Sequence, residues 1–179
     1  TDQKISSIQD ILPVLENVVQ ERKPLLIIAD DIEQEAVSTI ILNKLRGTFN
    51  VVATKAPGFG DARCEELKDM AKFVGAVFFS KDLQMNLKDI SLQDLGVAKK
   101  VIVEKNSTTI IEGKGDKDEL NERVEEIRSK MEACKSEYEK KNYMKRIAGL
   151  TNGVALIKVG ATTETELKEK KLRLEDALN

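Results

Sequence analysis

Leu25–Ala29 (LLIIA), followed after two aspartates by Glu33–Arg46 (EQEAVSTIILNKLR), is the stretch on which the fold turns. An unbroken apolar run of this length reads as a strand covered on both faces, as in parallel sheets. The second segment reads as a helix, so the pair opens a βα repeat. At about 100° per residue, Ala36, Val37, Ile40, Ile41, Leu42 and Leu45 spread over roughly 240° of the helical wheel, whereas an ordinary surface helix carries an apolar stripe a little over about 100° wide. One side can pack on a core. The remainder is either covered by a second element of the same protein or left as a surface for apolar protein segments, because each Leu or Ile in water forfeits roughly 1.5–3 kcal/mol of burial. Periodicity alone leaves both readings open.

On the N-terminal side, Leu12, Leu15, Val18 and Val19 recur at helical spacing between Ile11 and Glu21, with Asp10 a candidate N-cap and Pro13 acceptable in the first turn. On the C-terminal side, Val51–Ala53 reads as a strand, and Pro57, Gly58 and Gly60 as a turn. Asp61 then caps a helix through about Val74, and Ala76–Phe79 is a further strand. This order predicts an α/β fold, a mainly parallel sheet flanked by helices. Between Lys81 and Leu95 the pattern is weak, although Ser91 and Asp94 suit a short helix. Val101–Val103 and Thr108–Ile111 read as an antiparallel pair across a polar bend at Asn106 and Ser107.

After Gly113 and Gly115 the character becomes helical. Asp116 with Glu119, Ser136 with Glu139, and Thr163 with Glu166 are three candidate capping boxes. Leu120, Val124, Ile127 and Met131 form one stripe, and Tyr143, Ile147 and Leu150 another, which predicts a helical hairpin leaning on the sheet. A strand at Val154–Val159 leads through Gly160 to a last helix, Glu164–Asn179, with Leu167, Leu174 and Leu178 on one side and Asp176 nearly opposite. The hairpin is thus followed by a short strand-helix extension.

The chain's 179 residues have room for one domain with a real core and a smaller appendage. Hydrophobic residues at 41 % and charged residues at 34 % are a globular composition. A net charge of −2 offers no basic field for phosphate backbones, so nucleic acid is not an expected partner. No apolar run approaches the roughly 20 residues that cross a bilayer, and no signal-peptide pattern opens the chain, which does not begin with Met; an intracellular protein or an excised piece is expected. Cys64 and Cys134 stand far apart without a His anywhere, so no metal site is expected, and catalysis would fall to carboxylates or lysines.

Three acidic features bear on chemistry. Asp30 and Asp31 end an apolar strand as Mg²⁺-holding carboxylates do in phosphoryl-transfer proteins, and a Mg-dependent nucleotide-binding α/β domain is the alternative function they raise. No phosphate-cradling glycine motif accompanies them, so a solvated strand end is the expectation. The loop KAPGFGD (Lys55–Asp61) places two glycines before a helix, but Asp61 stands where an anion would sit, which favours a tight turn and helix cap. By itself Asp176 reads as a solvated residue on a charged helix face.

PLLIIADDIEQEA (Pro24–Ala36), KAPGFGD (Lys55–Asp61), NGVALIKVGATTE (Asn152–Glu164) and EKKLRLEDALN (Glu169–Asn179) together resemble the group I chaperonin family, the GroEL type. The blocks fall in the family's order and spacing across essentially the whole chain. The resemblance implies an apical domain over residues 1–152, lacking the family's first apical strands, and the returning part of the intermediate domain over 153–179. It implies a ring-shaped, ATP-driven machine, cytoplasmic in bacteria, that captures non-native polypeptides and then encloses them under a GroES-type co-chaperonin.

Residue by residue, the resemblance puts the polypeptide- and lid-binding groove at Leu12 and Leu15 on the first helix and at Val37, Ile41 and Leu42 on the second, with Asn43 at its edge. Ala36, Ile40 and Leu45 are then left for the core. Asp176 matches the family's catalytic aspartate, which acts with ATP and Mg²⁺ only in the intact subunit; no cofactor and no ATPase activity are expected of this piece alone. Glu164 matches an inter-subunit contact, and Asn152–Gly153 the hinge, where Asn152 replaces a glycine. After the GFGD turn, Ala62, Arg63 and Cys64 stand where the family commonly has a basic run.

Overall fold

The computed structural model describes residues 1–104, 107–151 and 163–178. Its strands are β1 (Lys4–Ile5), β2 (Leu25–Ala29), β3 (Asp31–Ile32), β4 (Val51–Lys55), β5 (Ala98–Val103) and β6 (Thr108–Gly113). Its helices are α1 (Leu12–Gln20), α2 (Gln34–Leu45), α3 (Gly60–Val74), α4 (Lys117–Ala133), α5 (Glu137–Thr151) and α6 (Glu164–Leu178), with 3₁₀ turns at Ile8–Asp10, Leu87–Asp89 and Leu92–Asp94.

The α/β reading holds. The sheet is more broken than the sequence implies: among the described residues it consists of three two-stranded ladders. β2 and β4 pair in parallel from Leu25–Val51 to Ala29–Lys55, β1 pairs in parallel with β3, and β5 pairs antiparallel with β6. Ala76–Phe79 does not form the expected strand, and Val77 donates its N–H to the Asp94 carbonyl at 2.9 Å instead of to a ladder. The expected strand at 154–159, its Gly160 and the hinge pair Asn152–Gly153 lie outside the described residues.

The pleat of the β2–β4 ladder sorts its side chains by parity. Leu25, Ile27 and Ala29 on β2, with Val51 and Ala53 on β4, join one cluster with Val14, Leu15 and Val18 of α1 and Ala36 and Ile40 of α2. Both helices therefore cover the same face of this ladder. Each also ends where its strand begins, α1 through residues 21–24 and α2 through residues 46–50. Because Leu25 stands beside Val51 in parallel register, the C-terminal ends of α1 and α2 lie at the same edge of the domain.

The start of α1 differs in detail from expectation. Asp10 does not cap it, because its carboxylate is engaged by the preceding turn, accepting the Ser7 N–H at 3.0 Å in a reciprocal capping box. Ile11 is the N-cap residue and Pro13 lies in the first turn, where no intrahelical donor is lost. At the far end of α3, Gly75 closes the helix in the left-handed region at φ 73°. The segment leaving β6 then crosses close over that end. A Cβ on Gly115 would stand 1.9 Å from the Lys72 carbonyl oxygen, so only glycine fits the crossing.

The helical hairpin forms as predicted. Asp116 caps α4 by accepting the N–H groups of Asp118 and Glu119 at 2.9 and 3.0 Å, and Val124 and Ile127 bury the centre of its stripe. The hairpin packs on α3 through polar groups as well. Arg123 and Arg146, from α4 and α5, both reach Asp69 and Glu65 on α3. Arg123 and Asp69 are each only 6 % exposed.

Candidate functional site

Three residues carried by the resemblance stand at the surface: Leu12 is 42 % exposed, Ile41 51 % and Leu42 53 %. Val37 is half-buried beside them. Leu15 is different. At 2 % exposure it belongs to the core, because α1 turns Val14, Leu15 and Val18 together onto the β2–β4 face. It cannot offer a wet surface in this fold, and the groove assignment is corrected at that position.

Leu45 is the second correction. Left to the core once the resemblance places the groove, it is 80 % exposed. The geometry of α2 explains this: the core takes only Ala36 and Ile40, and Ser38, Ile41, Leu42 and Leu45 follow at i, i+3, i+4 and i+7 on the opposite side. Three large aliphatic side chains in that stripe thus point away from the protein. The excess width of the α2 apolar arc is left in solvent rather than covered by a second element of the described structure. Asn43 is half-buried and its side-chain amide donates to the Thr39 carbonyl at 2.9 Å, one turn back along its own helix.

The acidic strand end is a finished electrostatic arrangement. Asp31 receives Lys55 at 2.7 Å and lies 3.8 Å from Lys4. The Lys55 hydrogen bond, with one from the Ile32 backbone, holds its carboxyl below the usual carboxylate range. Asp30 pairs with Arg63 and is therefore more than a solvated strand end. Arg63 also donates from Nε and Nη2 to the Gly58 carbonyl at 3.0 and 2.8 Å and stacks over the Phe59 ring. Arg63, the one basic residue between Ala62 and Cys64, thus clasps the glycine turn to the end of β2. Among the described residues no group of three or more His, Cys, Asp or Glu side chains converges as a metal site. Asp30 and Asp31 hold cations of the chain itself and do not fit the phosphoryl-transfer alternative.

On α6, Asp176 is exposed, and Glu164 is paired with Lys168 at 3.0 Å within the helix. The described residues around Asp176 supply no phosphate cradle, so they do not by themselves fit ATP and Mg²⁺. Cys64 and Cys134 are both free thiols. Burial and the nearby Asp2 carboxylate push the Cys64 thiol up, so it is less ready to ionise than an ordinary cysteine.

The residues sequence reasoning missed are polar. Arg123 reaches Asp69 at 2.8 Å, Glu65 at 2.7 Å and Glu126 at 2.6 Å. Burial opposes the charged form of Arg123, but the hydrogen bonds to Asp69, Glu126 and Glu65 outweigh it and raise its pKa. Burial likewise pushes the Glu65 carboxyl up, yet hydrogen bonds from Arg123 and Lys68 prevail and bring it down to about 2. No local motif announces this cluster, since its members come from three helices.

Comparison with known proteins agrees with the resemblance. Residues 5–179 match the model of the TCP-1/cpn60 chaperonin family. Over all 179 residues the chain is 62 % identical to a protein of Acholeplasma laidlawii (strain PG-8A) named Chaperonin GroEL, and it spans 33 % of that protein's length.

Proposed function

The chain belongs to the TCP-1/cpn60 chaperonin family, in its GroEL-type group I branch, and from that membership we propose that it captures non-native polypeptides on the outward faces of α1 and α2. The single observation that carries this reading is the stripe of Ile41, Leu42 and Leu45 on α2, exposed together and turned away from the core, with Leu12 exposed on the neighbouring α1. Apolar burial is non-directional, so such a surface accepts many segments and selects for exposed grease rather than for a sequence. Folded proteins hide that grease, and unfolded ones present it.

In the longer protein, residues 1–152 then act as the apical domain and residues 153–179 as part of the intermediate domain. The same apolar face takes a GroES-type co-chaperonin after the client, Asn152–Gly153 serve as the hinge, Glu164 meets a neighbouring subunit of a homo-oligomeric ring, and Asn43 borders the binding face. Asp176 serves ATP hydrolysis there, where ATP supplies the free energy of the cycle and Mg²⁺ its charge neutralisation. This chain alone does not hydrolyse ATP, and the parent works in the bacterial cytoplasm. These assignments rest on family membership and on the exposure of Asp176 and of the α2 stripe.

A photocrosslinking amino acid at Leu42 tests the reading. Crosslinks to a denatured client, with none to the same client in its native state, are expected. Equal labelling of both states, or of neither, overturns it.

A further inference from the structure

The exposed apolar face ends at an edge that carries three exposed cations. Arg22 follows the C-cap Glu21 of α1, and the last turn of α2 and its cap carry Lys44 and Arg46. All three are exposed, and none makes an ion pair among the described residues, although the adjacent Lys23 is neutralised by Glu21. The parallel register of β2 and β4 brings the C-terminal ends of both helices, and with them these three residues, to the same edge. On the wheel of α2, Lys44 and Arg46 flank Ile41, Leu42 and Leu45 from the two sides at about 100° per residue. On α1, Glu16 is exposed at the middle of the helix, one turn after Leu12, and Glu21 at its C-cap is exposed and paired with Lys23.

We propose that this face selects, among non-native polypeptides, apolar segments bordered on one side by acidic residues, with the apolar part on Leu12, Ile41, Leu42 and Leu45 and the carboxylates on Arg22, Lys44 and Arg46. The inference rests on the capture reading above and adds charge to it. The cations act where the segment leaves the apolar stripe, so its carboxylates need no desolvation to be recognised. At solvent-exposed positions the attraction is screened and modest, which sets the scale of preference and makes it dependent on salt.

Three labelled peptides with one shared apolar core test it, carrying three Asp, three Gln or three Lys after the core, each made also with the charges before it. Binding to the 179-residue chain is measured by fluorescence anisotropy. For one placement of the charges, the Asp peptide is expected to bind roughly three- to tenfold tighter than the Gln peptide at low salt and the Lys peptide weaker, the differences closing at about 0.5 M salt. The double variant Lys44→Glu/Arg46→Glu is expected to reverse the order with an unchanged circular dichroism spectrum. Should that variant fail to fold, the salt titration of the unaltered chain decides alone. Equal binding of Asp and Gln peptides at low salt overturns charge selection while leaving apolar capture standing. Failure of every peptide to bind overturns both.

Discussion

Nε of Arg123, on α4, lies 2.8 Å from Oδ1 of Asp69, on α3, while Nε of Arg146 on α5 approaches the other carboxylate oxygen at 2.6 Å. One buried carboxylate is thus shared by the two helices of the hairpin. The hairpin's orientation on α3 depends on this arrangement, because moving it would strand charges that water cannot reach.

Removing one partner should therefore cost more than the pair contributes. Arg123→Met is expected to lower unfolding free energy by about 3 kcal/mol, since Asp69 and Glu65 keep only Arg146 and exposed lysines. Urea denaturation of both proteins checks this, and a change within about 0.5 kcal/mol would show the cluster to be incidental.

Acid should attack the same cluster. Glu65 has its pKa lowered from 4.5 to about 2 in the folded chain, so it binds a proton less readily folded than unfolded. Its stabilising contribution is complete above the unfolded value and is lost as pH falls from 4.5 towards 2. Melting temperatures followed across that window should drop less steeply in Glu65→Gln than in the unaltered chain.

Leu12 and Leu15 separate surface from core on one helix. Leu15→Ala is expected to destabilise by about 2–4 kcal/mol through lost burial and a cavity. Leu12→Ala should cost under about 1 kcal/mol while weakening client binding. Thermal melts paired with client titrations distinguish the two, and equal losses of stability would contradict the burial described.

Gly115 is expected to tolerate no side chain. Gly115→Ala forces a Cβ against the Lys72 carbonyl, and a loss of about 2 kcal/mol or more in chemical denaturation follows unless the backbone shifts. Gly149→Ala, whose Cβ meets nothing within 4 Å and which lies within α5, should instead be neutral or stabilising by up to about 1 kcal/mol.

Periodicity and punctuation carried most of the fold. LLIIA, the α2 arc, the Asp116 cap and the stripes of α4 and α5 were legible because each depends on neighbours a few residues away. Ala76–Phe79 misled because its composition suits a strand but no ladder partner stands beside it among the described residues, and pairing is a non-local property. The wheel showed an apolar arc on α2 wider than one core face needs, yet could not say which part faced inwards or whether the rest was covered. That choice is made by the β2–β4 face, which takes Ala36 and Ile40 and leaves Leu45 outside. Leu15 misled for the complementary reason: the resemblance carries a role but not a depth. Arg63 and Arg123 were invisible because their partners, Asp30, Asp69 and Glu65, are brought to them only by the tertiary fold.

The most direct test of capture by the exposed stripe is the affinity of a denatured, aggregation-prone client for the unaltered chain and for Ile41→Glu and Leu42→Glu. At least a tenfold loss of affinity in both variants, with unchanged circular dichroism and melting temperature, is predicted, since a charge would replace roughly 1.5–3 kcal/mol of apolar contact. Unchanged client affinity in both folded variants would contradict the account.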